Sequence, residues 1–162
     1  MPDIPVRRLV AALSLCALLF TGCGVIPADA EGTLGRATDG TLVVGVSEHP
    51  PWTVVDADTG EVTGSEADLI KGFAESINAE IEWRPGAESV LAGEIQESEL
   101  DIVIGGLTTS SPWSSHMALT RSYASVDSEG GQTENMVMGV PLGENELMVA
   151  LERFLAQEHG EI

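Results

Sequence analysis

The residues best placed to do chemistry lie between Asp101 and Trp113, where an acid opens the run Ile102, Val103, Ile104, two glycines stop it, and four hydroxyls from Thr108 to Ser111 lead into Pro112 and Trp113. A short apolar β-branched run emptying into a glycine and hydroxyl loop reads as a buried strand followed by a ligand-binding loop, with backbone and side-chain donors for a small polar molecule. His49, Pro50, Pro51 and Trp52 follow an earlier run of the same kind, and Trp52 offers either an aromatic platform for a ligand or a half-buried hairpin tryptophan. Thr108 and Ser110 are either ligand donors or local caps, and capping alone accounts for the pattern. Trp113 reads more naturally as a packing or partner-facing aromatic than as a stacking surface.

Other chemistries find little support. Glu66 and Asp68 sit two apart at the start of a helical pattern, but Asp68 suits capping and the helix dipole, and no second acid-base partner is evident for a carboxylate pair. His49, His116 and His159 are too widely spaced for a local metal motif. The chain has no Gly-x-Ser-x-Gly, no P-loop and no cysteine nucleophile. The expectation is therefore a protein with no catalytic residues, no metal and no cofactor.

The elements that must position the loop follow in order. Thr41 to Ser47 is a continuous apolar run, as expected of a strand buried on both faces. Thr53 to Val55 and Glu61 to Thr63 flank an Asp/Gly turn, predicting a small hairpin. Ser65 with Asp68 three residues on resembles a capping box, and Leu69, Ile70, Phe73, Ala74 and Ile77 make one helix face ending at Asn78. Glu80 to Trp83 is a second strand, Ala87 to Glu97 a weaker helix on Val90, Leu91 and Ile95, and Asp101 to Gly105 the third strand. This alternation predicts a parallel sheet with right-handed crossovers and a ligand site beyond the carboxyl ends of its strands. Met117 to Thr120 and Met136 to Val140 are further strands, separated by an unpatterned polar linker over 125–135. Asn145 can cap a last helix built on Leu147, Met148, Ala150, Leu151, Phe154 and Leu155.

Ahead of this domain, residues 1–22 carry Arg7 and Arg8, an apolar run from Leu9 to Phe20 and small residues before Cys23, the layout of a secretory signal and shorter than the roughly 20 apolar residues a spanning helix needs. Residues 20–23, Phe-Thr-Gly-Cys, resemble the bacterial lipobox, whose cysteine is lipidated, with Phe20 where the motif has a smaller aliphatic residue. Signal cleavage after Ala30 is the alternative. Residues 23–40 are Gly-, Pro- and small-residue-rich with no period, as a flexible tether would be. The two cysteines, Cys16 and Cys23, leave no disulfide for the domain.

Losing residues 1–22 removes Arg7, Arg8 and Asp3 from 7 basic and 26 acidic residues, leaving 5 against 25. Such a surface repels nucleic acid and anionic lipid, because phosphate binding needs Lys and Arg. The acids are scattered, which suits a solvated, soluble surface.

Taken in order, Leu42 to Val46, Pro50-Pro51-Trp52, Gly64 to Leu69, Glu99 to Thr108, Thr120 to Tyr123 and Met138 to Leu147 resemble the family 3 periplasmic solute-binding proteins, the amino-acid receptors of ABC importers. The resemblance covers about 40–124 and 135–158. It implies an α/β fold: a single three-layer lobe, 41–158, with a mainly parallel sheet flanked by helices. It also implies binding of a small polar, amino-acid-like solute at His49, Trp52, Gly106, Thr108, Ser110 and Trp113. The chain departs from the family twice. Family members trap ligand between two lobes, but here about a dozen residues join Tyr123 to Met136, too few for a second lobe. Family members also grip the ligand carboxylate with an arginine after the loop, where this chain has Trp113, and Arg121 is the next cation. The expectation is an extracytoplasmic lipoprotein anchored through Cys23, or secreted if Cys23 is not lipidated. It would serve an ABC-type permease as a non-enzymatic solute binder. The other reading is a single-lobe interaction module that contacts a transporter, a sensor or a second copy of itself.

Overall fold

The computed structural model describes residues 29–127 and 131–159. Strand β1 (Thr41–Val46) is the second strand of a five-stranded sheet ordered β4 (Glu80–Pro85), β1, β5 (Ile102–Ile104), β9 (Gly139–Pro141), β6 (Met117–Leu119). Strands β4 and β5 both run parallel to β1, with Val44 opposite Trp83 on one side and Ile102 on the other. Strand β9 is antiparallel to β5 and β6, so a single strand opposes an otherwise parallel sheet.

Period-two alternation divides the apolar side chains of β1 and β5 between two cores. Leu42, Val44, Val46, Ile102 and Ile104 face Ala67, Ile70 and Phe73 of helix α2 (Ser65–Ser76) and Leu147, Leu151 and Leu155 of helix α4 (Asn145–His159). On the opposite face Val103 packs with Leu91, Ala92 and Ile95 of helix α3 (Glu88–Gln96). The result is helix, sheet, helix: a three-layer α/β lobe. Strands β2 (Val54–Val55) and β3 (Val62–Thr63) form the expected hairpin, and Asn78 ends α2 in a left-handed conformation, φ 54°.

Several local expectations give way to tertiary contacts. Residues 29–40, read as tether, are part of the lobe. A short helix, α1 (Thr33–Ala37), buries Thr33 and Ala37 completely or nearly so, and Arg36 forms an ion pair with Asp101. Glu144 draws this segment in, accepting the N–H groups of Glu31 at 2.7 Å and Thr33 at 3.0 Å. The linker over 125–135 is for the most part an antiparallel ribbon of β7 (Ala124–Asp127) and β8 (Thr133–Met136), with Ala124 opposite Met136. Its Ser, Thr and Asn side chains hide the strand signal because both faces are largely solvated. The strand expected over Met136 to Val140 divides between β8 and β9 for the same reason: the chain leaves the ribbon before joining the sheet. The capping box at Ser65 does not form. Gly64 is the N-cap, its carbonyl taking the Asp68 N–H at 3.0 Å. Val90, expected on the buried face of α3, is 53% exposed, since Leu91 and Ile95 already fill that contact.

Candidate functional site

Beyond the carboxyl ends of β1 and β5, two turns converge. After β1 the chain folds back at His49, whose N–H donates to the Thr53 carbonyl at 2.9 Å and to Thr53 Oγ1 at 3.0 Å, and Thr53 Oγ1 in turn donates to the Ser47 carbonyl at 2.5 Å. Thr53 is fully buried and is the post about which the His49–Trp52 turn is wound. The Pro50–Pro51 peptide within this turn is cis. After β5, Gly105 (φ 146°) and Gly106 (φ 71°) hold backbone conformations that side-chain-bearing residues seldom adopt. A Cβ on Gly106 would lie 2.9 Å from His49 Cγ and 3.1 Å from Trp52 Cδ1. His49, Trp52 and Gly106, distant in sequence, therefore form one surface.

What holds the two turns together is Glu66, on the first turn of α2. It is fully buried. Its Oε2 accepts the N–H groups of Gly105 at 2.8 Å and Gly106 at 3.0 Å, and its Oε1 accepts the Tyr123 hydroxyl at 2.5 Å. Its own N–H donates to the Trp52 carbonyl at 3.0 Å. One residue thus ties α2, both site turns and the segment entering the ribbon. Burial raises the carboxyl's pKa above the ordinary glutamate value, opposed by the hydrogen bonds from Tyr123, Gly106 and Gly105 and by the nearby His49. Burial and the adjacent Glu66 charge together push the Tyr123 hydroxyl upward, keeping it a donor. The sequence gives capping and the helix dipole to Asp68 and offers no partner for Glu66. The available signal was its place between Ser65 and Ala67 one turn ahead of an apolar stripe, but only the packing shows that it points inward.

The hydroxyl loop continues from this post. Thr108 Oγ1 and Ser110 Oγ lie 2.8 Å apart on an exposed surface, and the Thr108 N–H is capped by Ser111 Oγ at 3.0 Å. The Thr109 N–H donates to the Asn135 carbonyl of β8 at 3.0 Å, and Thr108 bridges Met136, so the ribbon braces the loop. The loop's donors at Gly105, Gly106, Thr108 and Thr109 are all committed internally. The paired Thr108 and Ser110 hydroxyls and the exposed Thr109 are polar groups on its outer surface.

Neither residue considered for the missing carboxylate clamp joins this surface. The half-buried Trp113 donates its indole N–H to Glu88 at the start of α3, stands edge-on to His116 with ring centroids 5.8 Å apart, and packs on the α3 core. These are packing contacts. Arg121 is bound to Glu152 of α4, Nε to Oε2 at 3.0 Å, with its backbone N–H to Oε1 at 2.7 Å. Among the described residues no group of three or more His, Cys, Asp or Glu side chains is arranged to hold a metal. Cys23 and the lipobox lie outside the described residues.

This geometry has counterparts in known proteins. The sequence signature of bacterial extracellular solute-binding proteins, family 3, matches residues 42–160. No curated protein sequence matches the chain. Among solved structures, the arginine-bound form of domain 1 from TmArgBP superposes with a TM-score of 0.65 at 24% identity, covering 76% of this chain and 97% of that one. A binding component of an ABC transporter from Wolinella succinogenes, complexed with lysine, gives 0.63 at 15% identity over 73% of this chain and 89% of that one. An ancestral cyclohexadienyl dehydratase gives 0.64 at 15% identity over 76% and 88%. The likeness to domain 1 of TmArgBP agrees with the one five-stranded sheet that the described residues form. The chain belongs to the bacterial extracellular solute-binding proteins of family 3, and its described residues form one lobe of that fold.

Proposed function

We propose that the protein is an extracytoplasmic, non-enzymatic solute-binding lobe, anchored to the membrane through Cys23, that presents a small polar, amino-acid-like solute to an ABC-type transporter. The observation that carries this reading is the convergence of His49, Trp52 and Gly106 beside the outward hydroxyls of Thr108 and Ser110, at the sheet end where α/β folds bind ligands. Family membership supports solute binding, and the arginine held by domain 1 of TmArgBP is a precedent for one lobe retaining a ligand. None of the described helices is long and apolar enough to cross a membrane. The packing of Asp29 and Ala30 against Glu144 and Gly143 favours processing at Cys23, which keeps both residues, over cleavage after Ala30.

The site binds weakly. Good small-molecule sites bury about 70–90% of the ligand, which an open face does not achieve. With Arg121 held by Glu152 and the N–H groups of Gly105, Gly106, Thr108 and Thr109 already bonded, these residues offer the solute no strong anion clamp. Titration calorimetry of the isolated lobe against the free amino acids should give dissociation constants above about 100 μM, that is, binding free energies weaker than about −5.5 kcal/mol. Low-micromolar binding of any of them would refute the weak-site reading. The same committed donors favour a second reading, in which the lobe is an interaction module and the braced loop meets a transporter, a sensor or a second copy. Cross-linking that finds only monomer and no membrane partner counts against that one.

A further inference from the structure

We propose a second binding site, which shares Trp52 with the surface beside the hydroxyl loop but lies between α2 and α4, for a small organic cation with an apolar body. It is a cavity of about 530 Å³ between α2 and α4, open to solvent. That volume is within the roughly 300–1,000 Å³ of small-ligand pockets. Three aromatic side chains from separate parts of the chain line it: Trp52 from the turn after β1, Tyr123 from the approach to β7, and Phe154 from α4. Leu69 adds aliphatic surface. Gly72 also lines the cavity, and a Cβ there would stand 2.8 Å from Phe154 Cζ, so the phenyl ring lies close against the α2 backbone.

Charge selects the occupant. Asp68 and Glu75 on α2 and Glu158 on α4 line the same cavity. The exposed Lys71 is the cation paired with this rim, 3.5 Å from Asp68. Carboxylates around aromatic faces attract a cation twice, by Coulomb attraction and by the ring quadrupole, and they repel anions. The chain's net charge of −19 adds long-range attraction of the same sign. An ammonium or guanidinium group carried on an apolar body fits every feature, with the charge at the acidic rim and the body against the rings.

The test uses three probes of like shape on the full lipid-free lobe: phenylethylammonium, neutral phenylethanol and anionic phenylpropionate. Affinities are read by calorimetry and by perturbation of the Trp52 indole NMR resonance. The cation should bind with a sub-millimolar constant at low salt, the neutral probe at least tenfold more weakly, and the anion not measurably. The double variant Glu75→Gln, Glu158→Gln should weaken the cation by roughly tenfold, since each lost exposed carboxylate removes about half of a 1.4 kcal/mol step. Raising salt from 20 to 300 mM should weaken wild-type binding similarly. Both substituted residues are exposed, so folding is retained and circular dichroism checks it. The variant Thr108→Ala, Ser110→Ala should leave cation binding intact while affecting solute binding at the loop. Equal affinity for cation and neutral probe, indifference to the glutamine pair, or loss in the loop variant would each overturn the proposal.

Discussion

Replacing Glu66 separates the two roles its carboxylate could have, as a satisfied post or as a burdensome buried charge. In Glu66→Ala three donors lose their acceptor: the N–H groups of Gly105 and Gly106 and the Tyr123 hydroxyl. Each buried donor left unpaired costs about 1–3 kcal/mol, and water entering the vacated space recovers part, so the expected loss is about 3–5 kcal/mol. That is a large share of the roughly 5–15 kcal/mol available to a domain. In Glu66→Gln the amide oxygen can take both glycine N–H groups while the Tyr123 hydroxyl turns to accept from the amide nitrogen. The desolvation that raises the carboxyl's pKa also disappears, so this variant should lie within about 1 kcal/mol of wild type at pH 7. Urea unfolding followed by circular dichroism measures both. The linkage sign is set by the raised pKa: the folded state holds the proton more tightly, so stability falls as pH rises from the ordinary glutamate value through the raised one. Glu66→Gln removes that slope. A loss below 1 kcal/mol for the alanine variant, or equal losses for both, would show that the post does not hold the site turns.

Gly106→Ala forces a left-handed alanine and drives its methyl into His49 and Trp52, so it should cost about 2 kcal/mol in thermal or urea unfolding and weaken solute binding. Trp113→Phe loses the indole donor to Glu88 and some packing, about 1–2 kcal/mol, while solute affinity stays within twofold by calorimetry. A changed affinity would return Trp113 to the site. Burial, followed by the adjacent Glu144 carboxylate, raises Asp29 to about 6, whereas hydrogen bonds from Asp29 and from Glu31 and Thr33 overcome burial to hold Glu144 near 2. Stability from Asp29 is therefore present at low pH and lost as pH rises through about 6, and that from Glu144 is lost only as pH falls below the usual carboxylate range towards 2. Melting temperature should fall from pH 5 to 7.5 and Asp29→Asn should reduce the fall; an unchanged profile in the variant excludes the pair. Arg121→Ala should leave solute affinity unaltered in calorimetry, because its guanidinium is committed to Glu152.

Much of the fold was legible because hydrophobic periodicity reports burial directly. The runs at Thr41 to Val46 and Ile102 to Ile104, the stripe from Leu69 to Ile77 and that from Leu147 to Leu155 needed no partner to be recognised, and their alternation implied a parallel sheet with its site at the strand ends. The grouping of His49, Trp52 and Gly106 followed from that topology. Segments stabilised by polar contacts were not legible. The paired strands Ala124–Asp127 and Thr133–Met136 carry a ladder of hydrogen bonds on solvated faces, and residues 29–40 are drawn in by Glu144, more than a hundred positions away.

By itself the sequence determined the layers, the acidic composition and which turns lie beyond the carboxyl ends of the parallel strands, since each depends on local pattern or composition. Tertiary structure alone decided which polar groups face that end. It turned Glu66 inward to three donors, gave Trp113 to Glu88 and Arg121 to Glu152, and left Thr108 and Ser110 outward. A side chain's type states which bonds it can make. Which ones it makes depends on partners brought near by the packing of distant segments, and no local pattern records them.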